Sequence, residues 1–288
     1  MVSDFDLWFE DLPARNRLYN ARASVADFEA CMREYAALSA QAKARCPGVL
    51  DVAYGPGEDD RLDIFPASAA TPAPALIYIH GGYWRSQRKE DAACMAASFT
   101  DAGVAVVVLE YTLLPAVTLF DVVRQVRAAV AWLHRHAADY GIDARRLHVC
   151  GSSAGAHLAA MLLADGWQQA LALPRDVIKG MVGLSGLYDI RPLCATDVND
   201  WLRLDETQAA ALSPALLLPR TGPQLLLAVG ELETRAFVHQ TLHFHAACAA
   251  RGLPVRLVPA PGLNHFNIVN ELGRADSLLF RETLAWIA

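Results

Sequence analysis

The chain is short of charge, short of basic residues in particular, and has no long apolar run. Charged residues make up 19% of its 288 positions and apolar ones 54%, a balance that excludes a disordered chain and leaves ample material for a core. Lys and Arg number 25 against 31 Asp and Glu, a net charge of −6. That deficit argues against a nucleic-acid binder or a protein held on an anionic membrane, so neither partner is expected. No stretch approaches the roughly 18 apolar residues of a membrane-spanning helix. Nor does the chain open with a basic-then-apolar leader: Asp4, Asp6, Glu10 and Asp11 precede the first basic residue, Arg15. A secretory signal is therefore not expected. The six cysteines include no C-x-x-C pair, which predicts reduced thiols in a cytoplasmic protein and neither a disulfide framework nor a zinc cluster.

What is present is an alternation. Ala75–Ile79, Gly103–Leu109, Arg146–Cys150, Ile178–Leu184, Gln224–Val229 and Val255–Val258 are short, continuous apolar runs. Between them lie helix-like segments at 89–101, 118–138, 154–164, 235–250 and 270–287. Helix 118–138 carries Val122, Val126, Val130 and Leu133 at helical spacing. Continuous apolar strands alternating with helices predict an α/β domain, with a mostly parallel sheet covered on both faces. The breaker-rich Pro66–Pro74 stretch reads as a connection rather than a domain linker. Residues 1–288 are thus expected to form a single domain. Two segments fall outside the alternation: 1–45, which looks helical, and 191–223, too long for a plain loop and read as a cap-like insertion beside the active site.

The third strand runs into Gly151-Ser152-Ser153-Ala154-Gly155, followed by a helix. G-x-S-x-G between strand and helix is a sharp turn that lifts the central hydroxyl to the carboxyl end of the sheet, above a helix N-terminus that favours developing negative charge. Ser153 is the predicted nucleophile; Ser152 lacks the central position. Upstream, strand 75–79 ends in His80-Gly81-Gly82-Tyr83-Trp84. The N–H groups of Gly81 and Gly82, with that of Ala154, could cradle the oxyanion of a tetrahedral intermediate. His80 is read as a brace for that turn.

The ordered pair of His-Gly-Gly and G-x-S-x-G resembles the α/β-hydrolase superfamily, in its hormone-sensitive-lipase-like branch. The fuller string His80-Gly-Gly-Tyr-Trp84 resembles the kynurenine formamidases (arylformamidases), with the likeness spanning roughly residues 50–288. The resemblance implies an α/β-hydrolase fold with a helical cap, no cofactor and a small-molecule substrate. It also implies hydrolysis of N-formyl-L-kynurenine to kynurenine and formate. An aryl formamide needs a flat apolar pocket for its leaving group, and Tyr83, Trp84, Phe266 and Trp201 are the aromatics proposed for it. A general carboxylesterase acting on short-chain or aryl esters is the alternative. A non-catalytic binding protein on the same fold is a third reading, disfavoured because serine, acid and histidine are all available. A homodimer is compatible with such a hydrolase, though nothing in the sequence specifies an interface.

Of the nine histidines, His265 sits in a loop after the final strand, where such sheets carry their sites. It is the predicted general base, in an Asn-His-Phe context similar to the family's. His239 and His243 have a metal-compatible i, i+4 spacing but no third ligand or HExxH pattern, so no metal is expected. The triad acid should follow strand 224–229, where Glu231 and Glu233 compete; strand parity puts both on one face and cannot choose between them. The resemblance favours Glu233, since Glu233-Thr-Arg-Ala-Phe237 with Gln240 beyond matches the family's acid pattern. The formamidases generally have Asp there, and this chain departs from them. Asp189, after an earlier strand, is the weaker candidate.

Overall fold

A computed structural model describes residues 11–68 and 72–287. The first ten residues of the predicted 1–45 helical segment, positions 69–71 of the 66–74 connection and residue 288 lie outside it.

Two helices open the described chain, α1 (Leu12–Tyr19) and α2 (Phe28–Arg45). A hairpin follows, β1 (Val49–Ala53) and β2 (Arg61–Phe65), and then β3 (Ala73–Ile79). Next come α3 (Ala96–Asp101), β4 (Ala105–Leu109), α4 (Leu119–His136), β5 (Ile142–Ser152) and α5 (Ala154–Met161). After the short α6 (Trp167–Ala170) and β6 (Ile178–Leu184), two more short helices follow, α7 (Asn199–Leu202) and α8 (Glu206–Ala211). The chain ends with β7 (Gln224–Gly230), α9 (Arg235–Ala250), β8 (Val255–Ala260) and α10 (Leu278–Ile287). The eight strands form one sheet in the order β1-β2-β4-β3-β5-β6-β7-β8. From β4 to β8 every pairing is parallel; β1 and β2 run antiparallel at one edge.

The sheet has a core on each face because its central strands are apolar throughout. Along β3, Ala75, Ile77 and Ile79 enter one core with Val107 and Val149. The intervening Leu76 and Tyr78 enter the other with Val106, Val108 and Cys150. Each such fully buried aliphatic contributes about 1.5–3 kcal/mol. Helix α4 covers the first face with Val122, Val126, Val130 and Leu133, and a Thr118–Asp121 capping box starts it.

Three expected helices are shorter or divided. The 89–101 segment is a 3-10 turn at Lys89–Asp91 followed by α3. Lys89 explains the break: its ammonium is buried against Asp51 (2.7 Å), Asp63 (2.9 Å) and Glu90 (2.8 Å), which fixes the backbone there before a helix can start. The 270–287 segment divides into a 3-10 turn, Ile268–Gly273, and α10, and the 154–164 helix ends at Met161.

Candidate active site

The turn from β5 into α5 forces Ser153 to φ +56°, ψ −118°, a region that an L-residue occupies only when its surroundings over-determine it. Helix α5 lies so close beneath β3 that a Cβ on Gly155 would sit 2.0 Å from the Ile79 carbonyl oxygen. Ser153 N–H donates to the Leu184 carbonyl at 2.8 Å, which ties the elbow to the end of β6. The side chain is 6% exposed and lines a cavity of about 500 Å³.

The loop after β3 faces this elbow. Gly81 approaches so closely that a Cβ there would lie 2.9 Å from the Ser152 carbonyl oxygen and 3.3 Å from Ser153 Cβ. Among the described residues, the N–H groups of Gly81, Gly82 and Ala154 find no acceptor within the protein. Three unused donors beside a buried hydroxyl are what an oxyanion hole requires. His80 braces the loop from below. Its Nε2 bonds Glu110 Oε1 at 3.0 Å and its ring stacks on Tyr111 at 4.4 Å, while Tyr111 Oη donates to the carbonyls of His80 and Gly81.

His265 lines the same cavity, 5% exposed, its ring held between Phe237 (4.3 Å) and Phe266 (5.2 Å). Its Nδ1 bonds Glu233 Oε2 at 2.6 Å, leaving Nε2 as the nitrogen available to a reacting group. The other carboxylate oxygen, Oε1, accepts from Ser185 Oγ at 2.5 Å and from Gly230 N–H at 2.7 Å. The glutamate's carboxylate is therefore held by three donors, which fix it despite the additional methylene. Ser153 and His265 do not hydrogen-bond each other directly; a serine–histidine contact of this kind commonly tightens only once substrate is in place.

The rival acids are engaged elsewhere. Glu231 is exposed and accepts from Gly262 N–H at 2.9 Å. Asp189 pairs with Arg191 at 2.6 Å. Ser152 lines the cavity, still within β5.

Of the aromatics named from the sequence, Tyr83, Phe266 and Trp201 line the cavity. Trp84 does not. It is 0% exposed and packs edge-on against His157 at 5.0 Å beneath the loop. Positive φ angles at Gly82 (+90°), Tyr83 (+51°) and Trp84 (+58°) coil the chain, and the indole ends in the core. Periodicity in the sequence carries no trace of such a coil.

The opposite wall was not anticipated. Asn20, Arg22, Phe28, Met32 and Tyr35 all line the cavity, whereas Trp201 is the contribution of the 191–223 segment. Tyr83 Oη donates to the Tyr19 carbonyl at 2.6 Å, Gln240 Nε2 to Tyr19 Oη at 3.1 Å and Ser39 Oγ to the Asp91 carbonyl at 2.6 Å, anchoring α1 to the glycine loop and α9, and α2 to the 3-10 turn at 89–91. Among the described residues no cluster of three His, Cys, Asp or Glu side chains is arranged to hold a metal; His239 and His243 stack on each other at 5.7 Å. No helix among them is long and apolar enough to cross a membrane.

Known proteins resemble this chain in sequence and fold. The family model BD-FAE matches residues 62–190, from β2 through the elbow and just past β6. A crystallised protein of Silicibacter sp. TM1040, described as a candidate thioesterase, superposes with a TM-score of 0.81 at 27% identity, over 94% of this chain and 98% of that one. The chain is thus a hydrolase of the α/β-hydrolase fold. The kynurenine formamidase of Salmo salar is 34% identical over 82% of this chain and 81% of its own length, and that of Danio rerio is 32% identical over 83% and 82%. The chain belongs to the kynurenine formamidase family.

Proposed function

We propose that the protein is a serine hydrolase that cleaves N-formyl-L-kynurenine to L-kynurenine and formate. The observation that carries the reading is the convergence on one cavity of a strained serine, a carboxylate-held imidazole and the unused N–H groups of Gly81 and Gly82, with that of Ala154 directly after the serine. His265 Nε2 takes the Ser153 proton as Oγ attacks the formyl carbon. The oxyanion rests on the N–H groups of Gly81, Gly82 and Ala154, each such donor being worth about 3–4 kcal/mol. Glu233 orients the ring and stabilises the imidazolium. His265 then protonates the departing aryl amine, a water attacks the formyl ester with His265 again as base, and formate leaves. No step in this sequence calls on a metal or cofactor.

Support comes from the two formamidase relatives, from the His80-Gly-Gly-Tyr-Trp84 string and from the cavity. About 500 Å³ suits a small molecule rather than a polymer. Six free cysteines fit a reducing cytoplasm. A second reading, a general carboxylesterase, is favoured by the protein described as a candidate thioesterase and by the lower barrier that esters present to the same machinery. The two are separated by kcat/KM for N-formylkynurenine against p-nitrophenyl acetate and butyrate. A strong formamide preference is expected; esters cleaved with no measurable formamide turnover would establish the esterase instead.

A further inference from the structure

The cavity wall carries two arginines that the mechanism does not use, Arg22 and Arg85. Each sits over an aromatic ring. The Arg22 guanidinium carbon is 4.1 Å from the Phe28 ring centre, and that of Arg85 is 3.9 Å from the centre of Trp201. Among the described residues neither makes an ion pair or a side-chain hydrogen bond with the protein, unlike arginines such as Arg88, Arg191 and Arg256. Their platforms are themselves fixed. Trp201 Nε1 donates to the Tyr83 carbonyl at 3.2 Å, and Phe28 packs edge-on against Phe266 at 5.0 Å, next to His265. Arg85 is also tied to the glycine loop, its N–H donating to the Gly82 carbonyl at 3.1 Å. A guanidinium seated over an aromatic ring, with its N–H donors uncommitted, is pre-organised for a carboxylate. Glu29 and Asp91 line the same cavity, so opposite charges are present as well.

We infer that Arg85, with Arg22, recognises a carboxylate on the leaving-group side of the substrate, so that the enzyme selects acyl compounds whose leaving group carries an amino-acid moiety over otherwise identical uncharged or cationic ones. Arg85 and Arg22 are specificity-determining residues with no part in bond breaking. The inference rests on the formamidase reading for its first substrate and deepens it.

The test is a ratio within each protein, which partial unfolding cannot mimic. The kcat/KM for N-formylkynurenine is divided by that for its decarboxylated counterpart, N-formylkynurenamine, in the wild type, Arg85→Met, Arg85→Lys and Arg22→Met. The wild type is expected to favour the carboxylate by tenfold or more, mainly through KM. Arg85→Met should bring the ratio close to one, Arg22→Met should lower it, and Arg85→Lys should retain part of it. A wild-type ratio near one, or a ratio that survives Arg85→Met, overturns the inference while leaving the formamidase reading intact. If no formamide is cleaved, that reading fails, and the inference is judged on aryl esters instead. O-acetyltyrosine must then be preferred over O-acetyltyramine in an Arg85-dependent way, and equal rates overturn it.

Discussion

Glu233 and Glu231 stand two positions apart and hold different partners. The chain turns immediately after β7, so strand parity stops applying, and Glu233 folds back beneath His265 while Glu231 faces solvent. Glu233→Gln puts an amide where Oε1 and Oε2 accept from three donors and disturbs both the tautomer and the charge behind the imidazole. Turnover should fall by about 10⁴, as in triads that lose their acid. Glu231→Gln keeps an acceptor for Gly262 N–H and should stay within about threefold of wild type on kcat, given the small effect of exposed substitutions. Steady-state kinetics of both variants check this, and the reverse pattern would move the acid to Glu231. The place of Ser153 at the elbow was legible in the sequence because an elbow is a local object: strand, two glycines and helix all lie between Ile142 and Met161. Trp84 was not, because its direction is set by three successive positive φ angles that adjacency to a Gly-Gly pair does not reveal.

Between the strands, legibility followed burial. The central strands carry continuous apolar runs and fall within a few residues of expectation, as does α9 at Arg235–Ala250. The 89–101 helix failed because a side-chain network outranks helix propensity there. Lys89, 3% exposed, reaches Asp63, 1% exposed in β2, and its N–H donates to Glu110 Oε2 at 2.9 Å, the same carboxylate that holds His80. Lys89 thus links the loop beyond the glycine turn to the edge of the sheet. Lys89→Met leaves the Asp63 charge buried without its closest cation and should cost about 3–5 kcal/mol, read as a lower urea midpoint. An unchanged midpoint would mean that the network is incidental. The role of α1 and α2 as a cavity wall was invisible for a different reason. Their contacts with Asp91, Tyr83 and Gln240 span tens to hundreds of residues, and a sequence states such pairings nowhere.

For the molecule as a whole, two histidines make stability depend on pH. Burial pushes His148 down to about 4, helped by Arg146 and Lys179. Burial also pushes His157 down to about 4, against a hydrogen bond to the Leu212 carbonyl. In the unfolded chain both titrate near 6.5. Above that pH both states are neutral and the histidines are silent. As pH falls from about 6.5 towards 4 the unfolded state takes up protons that the folded state refuses, so stability declines, by about 2 kcal/mol per histidine at pH 5. Urea midpoints at pH 7 and 5 should show that decline, and His148→Asn should remove about half of it; a flat profile in the wild type would contradict it. The sheet order, the elbow and the acid–histidine pair all serve one claim, that Ser153 is the activated nucleophile. The most direct test is intact-mass and peptide mapping after reaction with a fluorophosphonate. One adduct is expected, on Ser153, absent from Ser153→Ala and formed far more slowly in Glu233→Gln. An adduct on Ser152, or labelling that persists in Ser153→Ala, would contradict it.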